Sequence, residues 1–152
     1  MTCVLLPHKL VERIRAHVRT TSSVNEQGGL LLGYRKPGAI ELSDVTFPNR
    51  WDHGSATRFH RSQRGHRMKA LREWLKSGRT AGWIGEWHTH PGGRAIPSSV
   101  DLQSWREVTR HQGQPMVFMI FSDRETYVGL HDGKQIRLLS AVERDKDGTL
   151  FV

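Results

Sequence analysis

The chain has 152 residues, of which 36% are hydrophobic, and it carries a formal net charge of +8 with a pI near 10.4. Its single cysteine, Cys3, excludes an internal disulfide, and no apolar run is long enough to cross a bilayer. We therefore expect one domain, residues 1–152, in a reducing cytoplasm, because the first residues also lack the basic start of a signal peptide. The basic surface would attract acidic proteins or nucleic acid without choosing between them.

Hydrophobic spacing predicts a helix and two strands in the first third of the chain. Apolar residues recur at helical intervals over residues 7–20, and Pro7 suits the first turn of a helix. The continuous apolar run at 29–34 predicts a buried strand. The alternation at 39–47 predicts a second strand after a turn at Gly38.

Residues 48–63 show neither the helical nor the strand period, and they combine many charges with two aromatic side chains. An irregular segment of this length is either a solvated loop or a functional one. Both interpretations stay open from the sequence. If the segment is functional, its candidate substrate contacts are Trp51, Arg58 and Phe59.

The next helix is predicted over residues 63–77, where Gly78 is placed to end it. Its defining apolar positions are Met68, Leu71, Trp74 and Leu75. Basic side chains occupy most of its other positions, which is more often a solvated surface than a nucleic-acid site.

The rest of the chain alternates strands and helices. A strand runs into residues 85–91, a helix covers 99–111, and the unbroken apolar run at 116–121 predicts a central strand buried on both faces. Strands at 127–130 and 135–139 flank a hairpin signal, and residues 150–152 are expected to add a short edge strand. The mixture predicts an α/β fold with a mixed sheet flanked by helices.

The motif that organises the chain is Gly85-Glu86-Trp87-His88-Thr89-His90-Pro91. In a strand, residues two apart point to the same face, so His88 and His90 project side by side. Ten residues separate His90 from Asp101, enough for a loop to return a carboxylate to the pair. Two histidines and one aspartate leave one position of a tetrahedral zinc open for water, as in catalytic zinc sites.

Each half of this motif has a simpler interpretation when it stands alone. A His-x-His pair occurs in strands by chance or for packing. Ser98 and Asp101 have the spacing of a capping box, with Ser98 as the N-cap of the following helix. Found together and in order, the two halves favour the metal site, and a capped helix start would also be a rigid support for Asp101.

The spacing His-x-His, seven residues, Ser, two residues, Asp resembles the JAMM (MPN+, JAB) metalloprotease family. The family also has a glutamate before an apolar, glycine-containing strand, which Glu26 and the residues after it match. The amino-acid sequence around His88 is most similar to that of the bacterial JAB branch. The resemblance implies an MPN fold, related to the cytidine-deaminase-like architecture.

The same resemblance implies roles for these residues. It places zinc on His88, His90 and Asp101, assigns proton transfer to Glu26, and assigns stabilisation of the carbonyl oxygen to the Ser98 hydroxyl. Glu86 is a second candidate for the base, because it lies two residues before His88 on the same strand face.

The resemblance also implies a zinc-dependent isopeptidase or peptidase that cleaves after the C-terminal tail of a ubiquitin-like modifier. Bacterial enzymes with this motif sequence resemble the deconjugases found beside E1- and E2-like proteins in antiphage systems. The insertion at about residues 48–63 helps to hold the substrate in this family. Processing of a sulfur-carrier protein in biosynthesis is an alternative within the same chemistry.

Other classes fit less well. A basic nucleic-acid-binding module would explain the charge, but no recognised motif supports it and the aromatics form no stacking series. A zinc deaminase needs a Pro-Cys-x-x-Cys motif, which a chain with one cysteine cannot supply. A metal-free MPN scaffold would lack the metal ligands, whereas here all of the signature positions are filled.

Overall fold

The computed structural model describes residues 1–21, 24–49, 52–54, 59–61 and 65–152. Within them the helices are α1 (His8–Thr21), α2 (His66–Lys76) and α3 (Ser99–Gln112). The strands are β1 (Cys3–Pro7), β2 (Gly28–Lys36), β3 (Ala39–Val45), β4 (His53–Gly54), β5 (Phe59–His60), β6 (Gly82–Thr89), β7 (Met116–Phe121), β8 (Thr126–His131), β9 (Ile136–Leu138), β10 (Ala141–Arg144) and β11 (Gly148–Phe151).

One large mixed sheet organises the fold, with the strand order β10-β11-β1-β3-β2-β6-β7-β8-β9. The pairs β1–β3 and β6–β7 are parallel, and the other pairs are antiparallel. The short strands β4 and β5 form a separate ribbon. The predicted α/β architecture, a mixed sheet flanked by helices, is confirmed.

The two ends of the large sheet are joined by one stretch of chain. Leu138 pairs with β8, and the Leu139 N–H donates to the carbonyl of Val128 in the same strand. One residue later, Ser140 exchanges two backbone hydrogen bonds with Val152, just beyond β11. Because the same segment pairs first with β8 and then with β11, the sheet curls into a half-barrel.

Two cores lie on opposite faces of this sheet. The larger one includes Leu10 and Ile14 of α1, which pack with Trp87 and with residues of β7 and β8. The smaller one is built around Trp105 of α3, whose ring stacks on Phe118 at 4.7 Å between centroids. All six residues of β7 are buried, which confirms the predicted central strand.

Both chain ends differ from the prediction. Pro7 ends strand β1 and does not open the helix, which begins at His8. The tail strand spans Gly148–Phe151 and lies between β10 and β1, so it is not an edge strand. Residues 3–7 are too few to reveal a strand by their own period, and their pairing with β11 depends on residues more than 140 positions away.

Helix α2 has the predicted location but an unexpected orientation. Its apolar positions Met68, Leu71, Trp74 and Leu75 are exposed, and His66 is its one buried residue. Helical spacing reports that these side chains share a face, but not which face turns toward the sheet. Among the described residues, no helix has the length and apolarity that a membrane span requires.

Candidate metal centre

Strand β6 carries both histidines because it lies at the middle of the large sheet, between β2 and β7. Trp87 and Thr89 are buried on one face, which turns His88 to the other. The His90 N–H donates to the carbonyl of Phe121 at 2.9 Å, so the strand direction continues one residue beyond β6. The exposed fractions of the His88 and His90 side chains are 12% and 15%.

Asp101 reaches the histidines from the first turn of α3. The Ser98 hydroxyl oxygen accepts the Asp101 N–H at 3.1 Å, and Asp101 Oδ2 accepts the Ser98 N–H at 2.8 Å. This reciprocal pair is the predicted capping box, which is therefore confirmed. It holds the carboxylate against the helix start, with its side chain 15% exposed.

Three donor groups converge at this point. The Nε2 atoms of His88 and His90 are 3.1 Å apart, His88 Nε2 is 3.3 Å from Asp101 Oδ1, and His90 Nε2 is 3.2 Å from Asp101 Oδ2. Ligand atoms about 2.0–2.1 Å from a tetrahedral ion are separated by roughly 3.3 Å. The group therefore fits a divalent metal ion with imidazole and carboxylate ligands, and His88, His90 and Asp101 are the residues that could hold it.

The loop after β6 orients one of these ligands. His90 Nδ1 lies 3.0 Å from the Arg94 carbonyl, so a proton on Nδ1 is donated there and the Nε2 lone pair points into the site. Glu125 holds this loop, because its carboxylate accepts hydrogen bonds from the Arg94 guanidinium and the Ala95 N–H, each at 3.1 Å. No motif in the sequence indicates this support, because Glu125 follows β7 and is 31 residues from Arg94 in the chain.

Glu26 lies beside the three donor groups. Its Oε1 is 3.8 Å from His90 Nε2, and its side chain is 8% exposed. The adjacent Gln27 exchanges hydrogen bonds with Thr89, its carbonyl accepting the Thr89 N–H and its own N–H donating to the Thr89 hydroxyl. Gly54 of β4 packs directly on the backbone of Glu26. A Cβ at this position would come within 2.1 Å of the Glu26 carbonyl oxygen, so only glycine allows this close approach.

The two carboxylates have opposite electrostatics. Burial raises the pKa of Glu26, although the charges of His88 and His90 act against it. Burial also acts to raise the pKa of Asp101, but the hydrogen bond and charge of His88 and the Ser98 N–H outweigh it and lower that pKa to about 2. Asp101 is thus held as an anion, as a metal ligand should be, whereas burial shifts Glu26 toward its protonated form.

Ser98 is the N-cap residue of α3, and its side chain is exposed. Because its hydroxyl oxygen accepts the Asp101 N–H, its own proton remains available to a group outside the helix.

Glu86 shares the cleft face of His88, as strand spacing predicts, but its carboxylate is engaged by a cation. Its Oε1 lies 2.8 Å from Arg61 Nη2, and the Arg61 guanidinium is 5.4 Å from the centre of the Trp83 ring. Glu86 lines the same cleft as Glu26, but it is the partner of a cation. This contact joins β6 to the segment that follows β5.

His88 and Asp101 line a cleft of about 270 Å³, together with Glu26. Phe59 lies on its wall, in contact range of Gly28, where an added Cβ would come within 2.9 Å of the Phe59 ring. Val100, Trp105 and Val108 of α3 supply further apolar surface. Of the predicted substrate contacts, Phe59 is thus placed at the cleft, whereas Trp51 and Arg58 lie outside the described residues.

A second polar group, built on His66 and missed from the sequence, anchors Asp52, the residue before β4. His66 Nε2 lies 2.6 Å from Asp52 Oδ2, and His66 Nδ1 lies 2.5 Å from Thr46 Oγ1. Thr46 Oγ1 also accepts the Leu30 N–H at 2.7 Å. The chain distances among these residues follow no motif, so only the fold reveals the group.

Comparison with known proteins identifies relatives over most of the chain. Residues 7–133 match the family described as prokaryotic homologues of the JAB domain. A protein of Pseudomonas aeruginosa (strain BWHPSA011 / Pa011), named CD-NTase/cGAS isopeptidase, is 34% identical over 136 residues, which cover 88% of this chain and 86% of that protein. A Vibrio cholerae protein of the same name is 26% identical over 140 residues, covering 92% and 88% of the two chains.

A solved structure agrees with the fold. The solution structure of a Desulfitobacterium hafniense protein superposes with a TM-score of 0.65 over 89% of this chain and 88% of the other. Its sequence is 23% identical, so the likeness concerns the fold alone.

Proposed function

This chain belongs to the family of prokaryotic homologues of the JAB domain, and on that premise we propose that it is a zinc-dependent isopeptidase of a bacterial antiphage conjugation system. Its substrate would be a CD-NTase joined through an isopeptide bond to the C-terminal tail of a ubiquitin-like modifier. Relatives named CD-NTase/cGAS isopeptidase support this substrate class. The observation that carries the proposal is the spacing of 3.1–3.3 Å among the His88, His90 and Asp101 donor atoms.

Zinc suits this donor set, because two imidazoles and one carboxylate are common ligands of catalytic zinc. When bound, it would activate a water and polarise the scissile carbonyl. His88, His90 and Asp101 would hold it. The Arg94 carbonyl would keep His90 in the tautomer that presents Nε2.

Glu26 would accept the proton of the attacking water and pass it to the leaving amine. Its burial raises its pKa, which suits a group that must both take up and release a proton near neutral pH. Glu86 is less suited, because its carboxylate is engaged by Arg61 at 2.8 Å. Among the described carboxylates of the cleft, we therefore assign the base to Glu26.

Ser98 would donate its hydroxyl proton to the oxygen of the scissile carbonyl, where negative charge develops. The hydroxyl oxygen is held by the Asp101 N–H, so the capping box would orient it before the substrate binds. Preorganised donors of this kind lose little free energy to reorientation during the reaction.

The cleft beside the metal would receive the extended tail of the modifier. Phe59, Val100 and Val108 offer apolar contacts along it, and Arg61 offers hydrogen-bond donors at its wall. Trp51 and Arg58 belong to the same insertion as Phe59, so we propose that they contact the conjugate as well. E1- and E2-like proteins would be functional partners, because they make the conjugate that this enzyme would cleave.

The test uses a conjugate made by co-expressing a CD-NTase with the E1- and E2-like proteins and modifier of the same operon. Incubation with the zinc-loaded protein should release the free CD-NTase, identified by its intact mass. A chelator and the Glu26→Gln variant are the controls, and both should prevent release. A conjugate that stays intact in the presence of excess folded, zinc-loaded protein would contradict the proposal.

A further inference from the structure

One peptide group in the loop after β6 bonds to a side chain at each of its ends. The carbonyl oxygen of Arg94 lies 3.0 Å from His90 Nδ1. The N–H of the same peptide group, which belongs to Ala95, donates to Glu125 Oε2 at 3.1 Å. A trans peptide turns its carbonyl and its N–H in opposite directions. One planar unit therefore stands between the Glu125 carboxylate and a candidate metal ligand.

The plane of this peptide group is fixed by its surroundings. The Arg94 carbonyl also accepts the Ile96 N–H at 2.9 Å, and Ala95 is buried in the smaller core, with an exposed fraction of 8%. Rotation of the plane would break the hydrogen bonds at both of its ends together. The carbonyl is therefore directed at His90 before a metal ion binds.

Helix α1 fixes the backbone of Glu125 in turn. The Arg15 guanidinium donates to the Glu125 carbonyl at 3.0 Å and to the carbonyl of Ser122. Ser122 and Glu125 also bond to each other, because the Ser122 N–H donates to the Glu125 carbonyl at 3.0 Å and the Glu125 N–H donates to the Ser122 hydroxyl at 3.1 Å. The carboxylate thus extends from a turn that is held on two sides.

The Glu125 side chain is an anion. The hydrogen bonds from the Arg94 guanidinium and the Ala95 N–H hold the pKa of Glu125 below its usual range. An anion at the N–H end of a peptide group polarises it, which makes the carbonyl oxygen at the other end a stronger acceptor. A metal-ligating histidine usually donates its other N–H to a carboxylate or a carbonyl, and this partner raises the basicity of the ligating nitrogen. Here a carbonyl and a carboxylate act on His90 in series.

We propose that Glu125 is a positioning residue for the metal ligand His90 and that it acts through the Arg94–Ala95 peptide group. Its charge strengthens the hydrogen bond at His90 Nδ1, and this makes Nε2 a better metal ligand. The ion pair of Glu125 with Arg94 contributes little, because the Arg94 side chain is 74% exposed. The inference rests on the metal site of the proposed function but not on its substrate.

The test measures zinc affinity by competition with a chromophoric chelator. Glu125→Gln keeps an oxygen that can accept the Ala95 N–H but removes the charge, and it should bind zinc about tenfold more weakly than the parent protein. Glu125→Ala should lose at least as much affinity. Arg94→Ala removes the guanidinium but keeps the peptide group, so it should bind zinc as the parent protein does.

Glu41→Gln is the matched control, because Glu41 also pairs with a cation, Lys36, at the surface. It lies on β3, which carries no candidate metal ligand, and its zinc affinity should equal that of the parent protein. The zinc dependence of turnover gives a second measurement. With a synthetic isopeptide that carries the last few tail residues of the modifier on a lysine, Glu125→Gln should need about tenfold more free zinc.

A spectroscopic measurement separates positioning from a loss of structure. In the zinc-loaded protein, NMR should show that the Nδ1–H proton of His90 exchanges with water faster in both Glu125 variants than in the parent protein. The ring N–H of His88 should exchange at an unchanged rate. The metal-free Glu125 variants should melt as the parent protein does, because the Glu125 side chain is 43% exposed.

Several results would overturn the inference. They are a zinc affinity of Glu125→Gln equal to that of the parent protein, an equal loss in Arg94→Ala or Glu41→Gln, and faster exchange at both histidines. If the parent protein binds zinc but leaves the conjugate and the isopeptide intact, the isopeptidase function fails, and the zinc affinities still decide the role of Glu125. A parent protein without zinc affinity would overturn both proposals.

Discussion

Two groups in this fold each combine histidine with aspartate, yet they differ in what they leave open. In the Thr46–His66–Asp52 group, His66 and Asp52 have side chains that are 0% and 1% exposed, and both ring nitrogens of His66 have a protein partner. In the His88–His90–Asp101 group, three side chains of 12–15% exposure turn their donor atoms toward one point beside a cleft.

The difference lies in the arrangement of the polar atoms. Around His66, hydrogen bonds connect successive residues in a chain, so each polar atom is satisfied by a protein neighbour. Around His88, lone pairs converge, and converging acceptors repel unless a cation or protons lie between them. A buried His–Asp contact is therefore a structural cross-link in one region and a metal-binding arrangement in the other.

The largest expected effect comes from breaking the convergent group. His88→Ala/His90→Ala should bind no stoichiometric zinc and show no turnover, whereas the parent protein should bind about one zinc per chain. Elemental analysis of the purified proteins measures this. The metal-free forms should melt at similar temperatures, because neither histidine belongs to the two buried cores. If the double variant still bound one zinc per chain, the proposed metal site would be wrong.

The next effect concerns the carboxylate beside the metal group. Glu26→Gln should retain zinc and lose turnover by ~10²–10⁴-fold, because an amide cannot accept the proton. Single-turnover rates on the synthetic isopeptide measure the loss.

Glu86→Gln is the matched control for this prediction, since Glu86 lines the same cleft but pairs with Arg61. It should lose much less than the Glu26 variant. If the two rates came out in the opposite order, proton transfer would belong to Glu86, and the strand-face argument would be right.

Breaking the cross-linked group should cost stability and leave the metal in place. His66→Ala leaves the buried Asp52 carboxylate without its histidine partner, which should lower the free energy of unfolding by about 3 kcal/mol. Urea denaturation measures the loss. Asp52→Asn keeps a hydrogen-bond acceptor and should lose less of the free energy of unfolding. If folded His66→Ala protein bound less than one zinc per chain, the two groups would not be independent.

The smallest effect concerns His131, a buried histidine outside both groups. Burial lowers the pKa of His131 below 6.5, helped by Arg106 and opposed by Asp132, and its Nδ1 accepts the Gly133 N–H at 3.0 Å. The unfolded chain therefore takes up this proton at a higher pH than the folded chain does. The contribution of His131 to stability is complete above pH 6.5 and is lost as the pH falls through the lowered pKa.

His131→Gln should flatten this part of the pH dependence. The measurement is the difference in urea midpoint between the variant and the parent protein from about pH 8 to pH 5, which cancels the groups that both proteins share. A difference that does not change with pH would mean that His131 titrates alike in both states.

Local patterns carried much of the prediction. The His-x-His spacing, the Ser98–Asp101 capping box, the buried run at 116–121 and the resemblance to the JAB family all depend on neighbouring residues or on short separations. The fold class and the family were confirmed. They could be predicted from short stretches of sequence because strand alternation and helix caps are set by local backbone geometry. The roles of Glu26, Ser98 and the metal ligands stay predictions.

Only the tertiary structure decided which of these patterns meet and what covers them. The strand β1, the orientation of α2, the Arg61–Glu86 pair and the Thr46–His66–Asp52 group all rest on contacts between residues that no motif links. The period of a helix records that Met68, Leu71 and Leu75 share a face, but burial depends on the partner surface. In the same way, the sequence by itself determined which side chains could bind a metal. The tertiary structure determined how they face one another, because α3 brings Asp101 to the histidines of β6 and β4 packs on the backbone of Glu26.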